Sequence, residues 1–304
     1  MIVVNPRDID LTYTNVPLTD HAEWAVGTTY AEGAKVIVLD DKRIYESLQA
    51  ANTGKTPSTS PEWWFDLGSM NAYKMFDEFV NTQTVNTDQI HIKLELSRSD
   101  YVAFFGVDGV EIELKLWDIT ETTLVWETTL DLTYGASVVD VSDWYEYFFG
   151  EYDTKEDFSL ALGAILFEGV LEVKIIADTG QDAKCGKMIV GRQRRIGLTR
   201  YGASAGLLDF SKKLTDDFGR TYLKQGSWAK RNSCEIIIDN SQLDAAYRTL
   251  ASLRGTATAW ITDSRDDEDG RFESLLVYGF CRDFNVVVDY PTISVCRMEL
   301  EGMI

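Results

Sequence analysis

Residues 90–96 read Ile-His-Ile-Lys-Leu-Glu-Leu, and residues 110–116 read Val-Glu-Ile-Glu-Leu-Lys-Leu. In both stretches apolar and polar residues alternate with period two, which predicts strands with one buried face. The turn dipeptide Asp108-Gly109 precedes the second stretch, and residues 171–175 repeat the alternation. Several half-buried strands separated by turns are typical of an antiparallel β-sandwich, so the sequence predicts a mainly β protein.

The last part of the chain, residues 191–304, combines strands with one helix. Apolar residues recur at helical spacing over residues 243–253, after Asn240 and Ser241 as candidate N-caps and before Gly255 as a stop. Apolar stretches on both sides predict strands. One helix within a run of strands predicts an α+β rolled sheet or barrel.

Residues 24–68 contain closely spaced aromatics in a short polar segment. The aromatics are Trp24, Tyr30, Tyr45 and the pair Trp63-Trp64. A unit this small buries little surface, so aromatic side chains must supply much of its core. Neighbouring residues of an extended segment point to opposite sides, so one tryptophan of the pair could face solvent. The sequence alone leaves open whether the other aromatics are core residues or exposed platforms.

This spacing resembles the chitin-type carbohydrate-binding modules, which also occur as appendages of bacteriophage tail proteins. The resemblance implies a small aromatic β module that stacks sugar rings on exposed π faces. The candidate carbohydrate-binding residues are Trp24, Tyr30, Trp63 and Trp64. The family's exposed aromatic pair after the tyrosine that matches Tyr45 is replaced here by Ser-Leu-Gln-Ala-Ala at residues 47–51.

We therefore expect four units: an N-terminal arm (1–20), the small module (21–69), the β-sandwich (70–190) and an α+β tail-assembly domain (191–304). Residues 8–13 alternate in period two, so the arm could add a strand to a neighbour.

Charge is distributed unevenly. The chain has a net charge of −20, and residues 1–178 hold 11 basic and 32 acidic residues. Phosphates need cationic partners, so this part is not expected to bind nucleic acid. It is either a solvated acidic face or a docking surface for a basic partner. A basic cluster follows at Arg192, Arg194, Arg195 and Arg200, and we expect it to form an ion-pair seam between domains or subunits.

Residues 143–152 are unusually aromatic. The candidate interface residues are Trp144, Tyr145, Tyr147, Phe148 and Phe149. An exposed aromatic segment of this size predicts burial against a neighbouring domain or subunit, in a homo-oligomeric ring or trimer.

Several functions are disfavoured. No apolar run approaches the ~20 residues of a membrane span, so no membrane insertion is expected. Two histidines and four widely spaced cysteines suggest neither a metal site, a cofactor nor a catalytic residue. Residues 54–56 (Gly-Lys-Thr) lack the rest of a phosphate-binding loop. The acidic residues 266–270 lack calcium-loop spacing and read as a hairpin tip.

The order of further motifs resembles uncharacterised tail proteins of long-tailed bacteriophages and prophages. These motifs are residues 71–77 (Asn-Ala-Tyr-Lys-Met-Phe-Asp), 82–84 (Thr-Gln-Thr), 185–192 (Cys-Gly-Lys-Met-Ile-Val-Gly-Arg), 199–206 (Thr-Arg-Tyr-Gly-Ala-Ser-Ala-Gly), 230–232 (Lys-Arg-Asn) and 277–280 (Val-Tyr-Gly-Phe). Residues 75–77 with 82–84 also resemble the start of a galactose-binding-like sandwich.

The resemblance implies a non-enzymatic structural protein of the virion tail tip or baseplate. It would be made in the host cytoplasm, would assemble with other tail proteins, and could contact host cell-surface polysaccharide. The alternative is a secreted or surface carbohydrate-binding protein or adhesin. That alternative requires export, and the N-terminal residues do not form the basic and apolar regions of a secretory signal.

Overall fold

The computed structural model describes residues 1–7, 9–133, 154–216, 218–263 and 272–303. The predicted interface residues Trp144, Tyr145, Tyr147, Phe148 and Phe149, and the acidic stretch 266–270, lie outside these ranges. Strands make up 55% of the structure and helical segments 8%. The predicted mainly β fold class, with antiparallel sheets, is therefore confirmed.

The strands of the described residues are as follows. Up to residue 69 they are β1 (Ile2–Pro6), β2 (Ile9–Thr14), β3 (Ala22–Glu23), β4 (Thr29–Tyr30), β5 (Lys35–Val38), β6 (Arg43–Ser47), β7 (Asn52–Thr53) and β8 (Trp64–Ser69). From there to residue 195 they are β9 (Thr84–Thr87), β10 (Gln89–Ser97), β11 (Tyr101–Asp108), β12 (Glu111–Asp118), β13 (Leu124–Asp131), β14 (Phe158–Ala161), β15 (Glu168–Ile176) and β16 (Asp182–Arg195). The remainder are β17 (Leu198–Thr199), β18 (Ser204–Asp209), β19 (Lys212–Thr215), β20 (Thr221–Lys224), β21 (Trp228–Asp239), β22 (Thr258–Ile261), β23 (Leu276–Val287) and β24 (Ile293–Gly302).

The strands pair into two large sheets and three small ones. The largest has the order β14-β11-β16-β1-β22-β23-β24-β21-β17, with β18 also on β21 and β9 also on β16. It is curled into a half-barrel. A five-stranded sheet has the order β13-β12-β15-β10-β2. The aromatic module contributes β3-β5-β6-β8 and β4-β7, and β19 pairs only with β20 among the described strands.

The two large sheets form the sandwich. The alternating residues that predicted it face inward, since Ile90, Leu94 and Leu114 are fully buried. They pack against residues of β11, β14 and β16 such as Phe104 and Phe158, whose rings stack at 5.0 Å. One end of the half-barrel sheet is therefore the second layer of the sandwich.

The helix α1 (Leu243–Ser252) packs at the other end of the half-barrel sheet, on the same face as the sandwich core, because Val3 lies opposite Arg194 and shares the face of Met188 and Val190. Its residues Ala246 and Leu250 pack in a core with Val3 and Trp260. The indole of Trp260 is fully buried and donates a hydrogen bond to the carbonyl of Gly279 at 2.9 Å. The predicted rolled sheet with one helix is confirmed within the described part of the chain.

Neither candidate N-cap of this helix acts as one. The N-cap position is Gln242, which makes no side-chain capping bond. Asn240 instead donates from its amide to the carbonyl of Tyr290 and accepts from the hydroxyl of Ser294. Gly255 does follow the helix in a left-handed conformation, with φ of +72°.

Residues 1–20 do not form a free arm that reaches a neighbour. β1 lies between β16 and β22, and β2 pairs with β10. Both strands therefore complete sheets of their own chain. β16 runs through residues 190 and 191, so the sandwich and the C-terminal unit share one continuous sheet.

Among the described residues, no helix combines the length and the apolar character needed to cross a bilayer.

Candidate functional site

The aromatic module has a small core of Val36, Tyr45 and Trp64. Trp24, Tyr30 and Trp63 are half-buried and pack against this core from outside. The ring of Tyr30 meets the indole of Trp64 edge-on, with centroids 5.2 Å apart. Five of the module's aromatics therefore lie in or on the core, as its small size requires.

The structure contradicts a sugar-stacking role for Trp64. Its side chain is only 2% exposed, and its indole N–H donates to the carbonyl of Lys55 at 2.8 Å. A sugar would have to open the core to reach this ring. Trp63 is the member of the pair nearer solvent, with the Lys55 ammonium 5.5 Å from its ring centroid.

The other two candidate sugar-binding residues are held from within the module. The hydroxyl of Tyr30 accepts a hydrogen bond from the amide of Ala25 at 2.8 Å. The indole N–H of Trp24 is buried and has no hydrogen-bond partner among the described residues. Of the tryptophan pair, Trp63 is thus the one that a ligand could reach.

The arginine cluster lies at the end of β16 and just beyond it. Arg192, Arg194 and Arg195 are opposite β1 in the sheet. Arg200 binds Glu235 at 3.1 Å, and Glu235 also binds Arg297 at 2.9 Å. The hydrogen bond from Arg297 is the largest cause of a lowered Glu235 pKa. Arg200 thus pairs within the C-terminal unit, whereas Arg192 and Arg194 have no ion pair within the described ranges.

A long β-hairpin that the sequence did not predict runs from Ser204 to Ser233. We call its residues 204–228 the arm; this segment is distinct from the predicted N-terminal arm at residues 1–20. β18 pairs with β21 from Ser204 opposite Ser233 to Asp209 opposite Trp228, and the ribbon continues as β19 paired with β20. At the tip, the carboxylate of Asp216 accepts hydrogen bonds from the amides of Phe218 and Arg220. Phe218 and Gly219 lie at this tip, where Gly219 has a φ of +79°. Beyond Asp209 the ribbon spans roughly 25 Å at about 3.4 Å per residue.

Large apolar side chains are exposed along the arm. Their exposed fractions are 58% for Leu207, 50% for Phe210, 36% for Leu214, 91% for Phe218, 58% for Tyr222, 78% for Leu223 and 53% for Trp228. Every residue of β19 and β20 is exposed. These side chains therefore contribute little to the core of their own chain.

A bulge bends the arm where its two halves meet, and it requires a glycine. Gly226 donates its amide hydrogen to the hydroxyl of Ser211 at 3.0 Å. A Cβ atom on residue 226 would lie 2.5 Å from the carbonyl oxygen of Phe210. The backbone has no room for any side chain at this position.

We therefore expect Gly226→Ala to destabilise the outer ribbon by about 1–3 kcal/mol, because the backbone must shift to relieve the contact. Hydrogen exchange at the amides of β19 and β20 is the measurement, and exchange there should become faster. Gly27→Ala is the control, since a Cβ at residue 27 would have no atom within 4 Å. Unchanged protection in Gly226→Ala would contradict this account of the bulge.

A charged junction ties the base of the arm to the sandwich. Lys230 donates to the carboxylate of Asp157 at 2.6 Å and to the carbonyl of Glu273 at 2.8 Å. The other carboxylate oxygen of Asp157 accepts from the amide of Gly106, and Glu273 accepts from the amides of Glu156 and Asp157. Both charged side chains of the ion pair are largely buried, at 20% and 13% exposure. The junction thus connects β11, β14, β21 and the segment that leads into β23.

A cleft of about 380 Å³ opens beside this junction, and Trp228 and Glu156 are among its lining residues. Burial, followed by the nearby Asp157 and Glu273 carboxylates, raises the pKa of Glu156. The cysteines, in contrast, are protected thiols. Burial raises the pKa of Cys185 to about 12 and that of Cys234 to about 11, so both stay protonated at neutral pH. In the described ranges, no three His, Cys, Asp or Glu side chains are grouped so as to hold a metal ion.

Comparison with known proteins adds no relative. No protein-family model matches the chain, and no curated protein matches it significantly.

Proposed function

We propose that the protein is a structural component of a bacteriophage tail tip or baseplate. In this role it assembles with other tail proteins and with copies of itself, as a ring or a trimer. The observation that carries the proposal is the arm, a ribbon rich in exposed apolar side chains that leaves the body of the protein.

The physical reason is the cost of an uncovered ribbon in water. An isolated two-stranded hairpin is at best marginally stable. Monomeric proteins seldom expose contiguous apolar patches of more than a few hundred Å². An element that combines both properties is expected in a subunit whose neighbours cover it. The resemblance of the order of sequence motifs to phage tail proteins supports a tail as the assembly in question.

The test is the location of the protein in particles. Tail particles purified on a density gradient from an induced bacterial lysate should contain the chain at a fixed ratio to the other tail proteins. Gold-labelled antibodies against the chain should mark one end of the tail. Recovery of the chain only as free protein in the culture medium would contradict the proposal and favour the secreted or surface carbohydrate-binding protein.

Contact with host cell-surface polysaccharide is a second candidate function, and the position of Trp63 favours it. This indole lies at the module surface beside the Lys55 ammonium. An aromatic face with a nearby hydrogen-bond donor is a suitable platform for a sugar ring.

If the module binds glycans, Trp63→Ala should reduce binding about fivefold or more, since an aromatic stacking contact is worth about 1 kcal/mol. The measurement is binding of the full chain to arrays of bacterial surface glycans. Phe167→Ala is the control, because it removes an aromatic ring that is 80% exposed outside the module. Equal binding by both variants would leave the module as a compact docking peg for another tail protein.

A further inference from the structure

We propose that the arm docks on the acidic part of a second copy of this chain. This inference rests on the proposed structural role and specifies the surface and the partner. The candidate interface predicted at Trp144 to Phe149 plays no part in it.

The outer part of the arm has the opposite charge to the rest of the protein. Residues 210–226 carry four basic and two acidic side chains, whereas the other residues of the chain carry 25 basic and 47 acidic ones. The four basic residues are Lys212, Lys213, Arg220 and Lys224. Within the described residues none of them forms an ion pair, whereas Lys230 at the base of the arm is fully engaged.

Apolar and basic side chains lie together on each face of the ribbon, and Lys213 lies opposite Leu223 on one of them. Leu214 lies directly opposite Tyr222, and Lys212 lies directly opposite Lys224. Because side chains two residues apart on a strand point the same way, these four form one apolar and basic surface. Such a surface fits a partner that offers carboxylates around an apolar patch.

A second copy of the chain meets this requirement. Residues 1–178 hold 21 more acidic than basic residues, so the neighbour presents a strongly negative surface. Two copies with a net charge of −20 repel each other elsewhere, and the net positive charge of the outer arm relieves part of that repulsion. Nucleic acid is a poor partner, because the rest of the chain repels phosphates.

The area available is sufficient for a specific contact. Taken over both faces of the ribbon, the seven large apolar residues of the arm expose roughly 800 Å². A stable interface uses about 800 Å² on each partner. The arm alone can therefore supply one side of an interface.

Zero-length carbodiimide cross-linking of the full-length protein is the first test. It joins lysines to carboxylates in direct contact, and a mixture of ¹⁴N- and ¹⁵N-labelled protein separates links between copies from links within one copy. We expect mixed-isotope links from Lys212, Lys213 or Lys224 to carboxylates of residues 1–178. Links confined to single copies, or none from these lysines, would overturn the inference.

Charge reversal is the second test. In sedimentation velocity, Lys212→Glu/Lys213→Glu/Lys224→Glu should self-associate on the order of a hundredfold more weakly than the unmodified chain, because like charges are then opposed. Arg248→Glu/Arg254→Glu is the control and should associate as the unmodified chain does. Arg248 is exposed on α1, and Arg254 is exposed just after the end of that helix. If self-association were weakened equally in both variants, or if the unmodified chain stayed monomeric, docking through the arm would be contradicted.

The outcome is separable from that of the proposed function. If the chain is found in tail particles but its arm lysines cross-link there only to a different protein, the second copy is excluded as the occupant and the tail role stands. If the chain is absent from particles but self-associates through the arm, the docking surface stands and the tail role falls.

Discussion

Asp157→Ala should lower the free energy of unfolding by about 3–5 kcal/mol, because it leaves the Lys230 ammonium largely buried without its counter-ion. The substitution also removes the acceptor for the amide of Gly106. The interactions lost are those that join the sandwich to the base of the arm. Chemical denaturation followed by tryptophan fluorescence is the measurement.

Asp108→Ala is the matched control for this prediction. Asp108 pairs with Lys184 at 2.8 Å, but the two side chains are 55% and 36% exposed. Solvent screens such a pair, so its loss should cost at most about 1 kcal/mol. A similar cost for both substitutions would mean that Lys230 finds water or another acceptor, and that the junction is not what joins the two parts.

Trp64→Ala should destabilise the aromatic module by about 3–5 kcal/mol, since it removes the largest buried side chain from a three-residue core. A unit of this size has few kcal/mol of stability to lose. We expect residues 21–69 to become sensitive to limited proteolysis while the two large sheets stay protected. Mass spectrometry of the early fragments locates the cuts.

Trp63→Ala is the comparison within the same pair. Its indole is only half-buried, so the cost should be about 1–2 kcal/mol and the module should stay folded. If Trp63→Ala opened the module as readily as Trp64→Ala, Trp63 would be a second core residue, and its use as a probe of sugar binding would be invalid.

The strands with one buried face were predictable from the sequence. Residues 90–96 and 110–116 alternate because one side meets the sandwich core and the other meets water, and this period is local information. The alternation also predicted that Trp63 and Trp64 point to opposite sides. Which of the two is buried depends on Val36 and Tyr45, which lie outside that local pattern.

The position of the N-terminal residues was not predictable in this way. Residues 2–4 are apolar and buried on both faces, as in a central strand, but their partners lie in β16 and β22. Pairing over such distances leaves no periodic signal. The alternation of polar and apolar residues at 8–13 favoured a free N-terminal arm instead.

The arm at residues 204–228 was not predictable from the sequence, for the opposite reason. Its leucines and aromatics have the composition of core residues, yet they are exposed. A sequence pattern that assigns apolar residues to the interior cannot identify apolar residues that the fold leaves on the surface. Gly219 and Gly226 are the local signals for a hairpin in this segment.

The central position of β1 has a consequence for the order of folding. Ile2 pairs with Arg195 on one side and with Ile261 on the other, so β1 can reach its final place only after β16 and β22 have been synthesised. Contacts of such long sequence separation slow folding, and an unpaired apolar strand is prone to aggregation in the meantime. The half-barrel therefore closes only after β22 has left the ribosome, and until then β1 is an apolar segment of the nascent chain that a chaperone would have to protect.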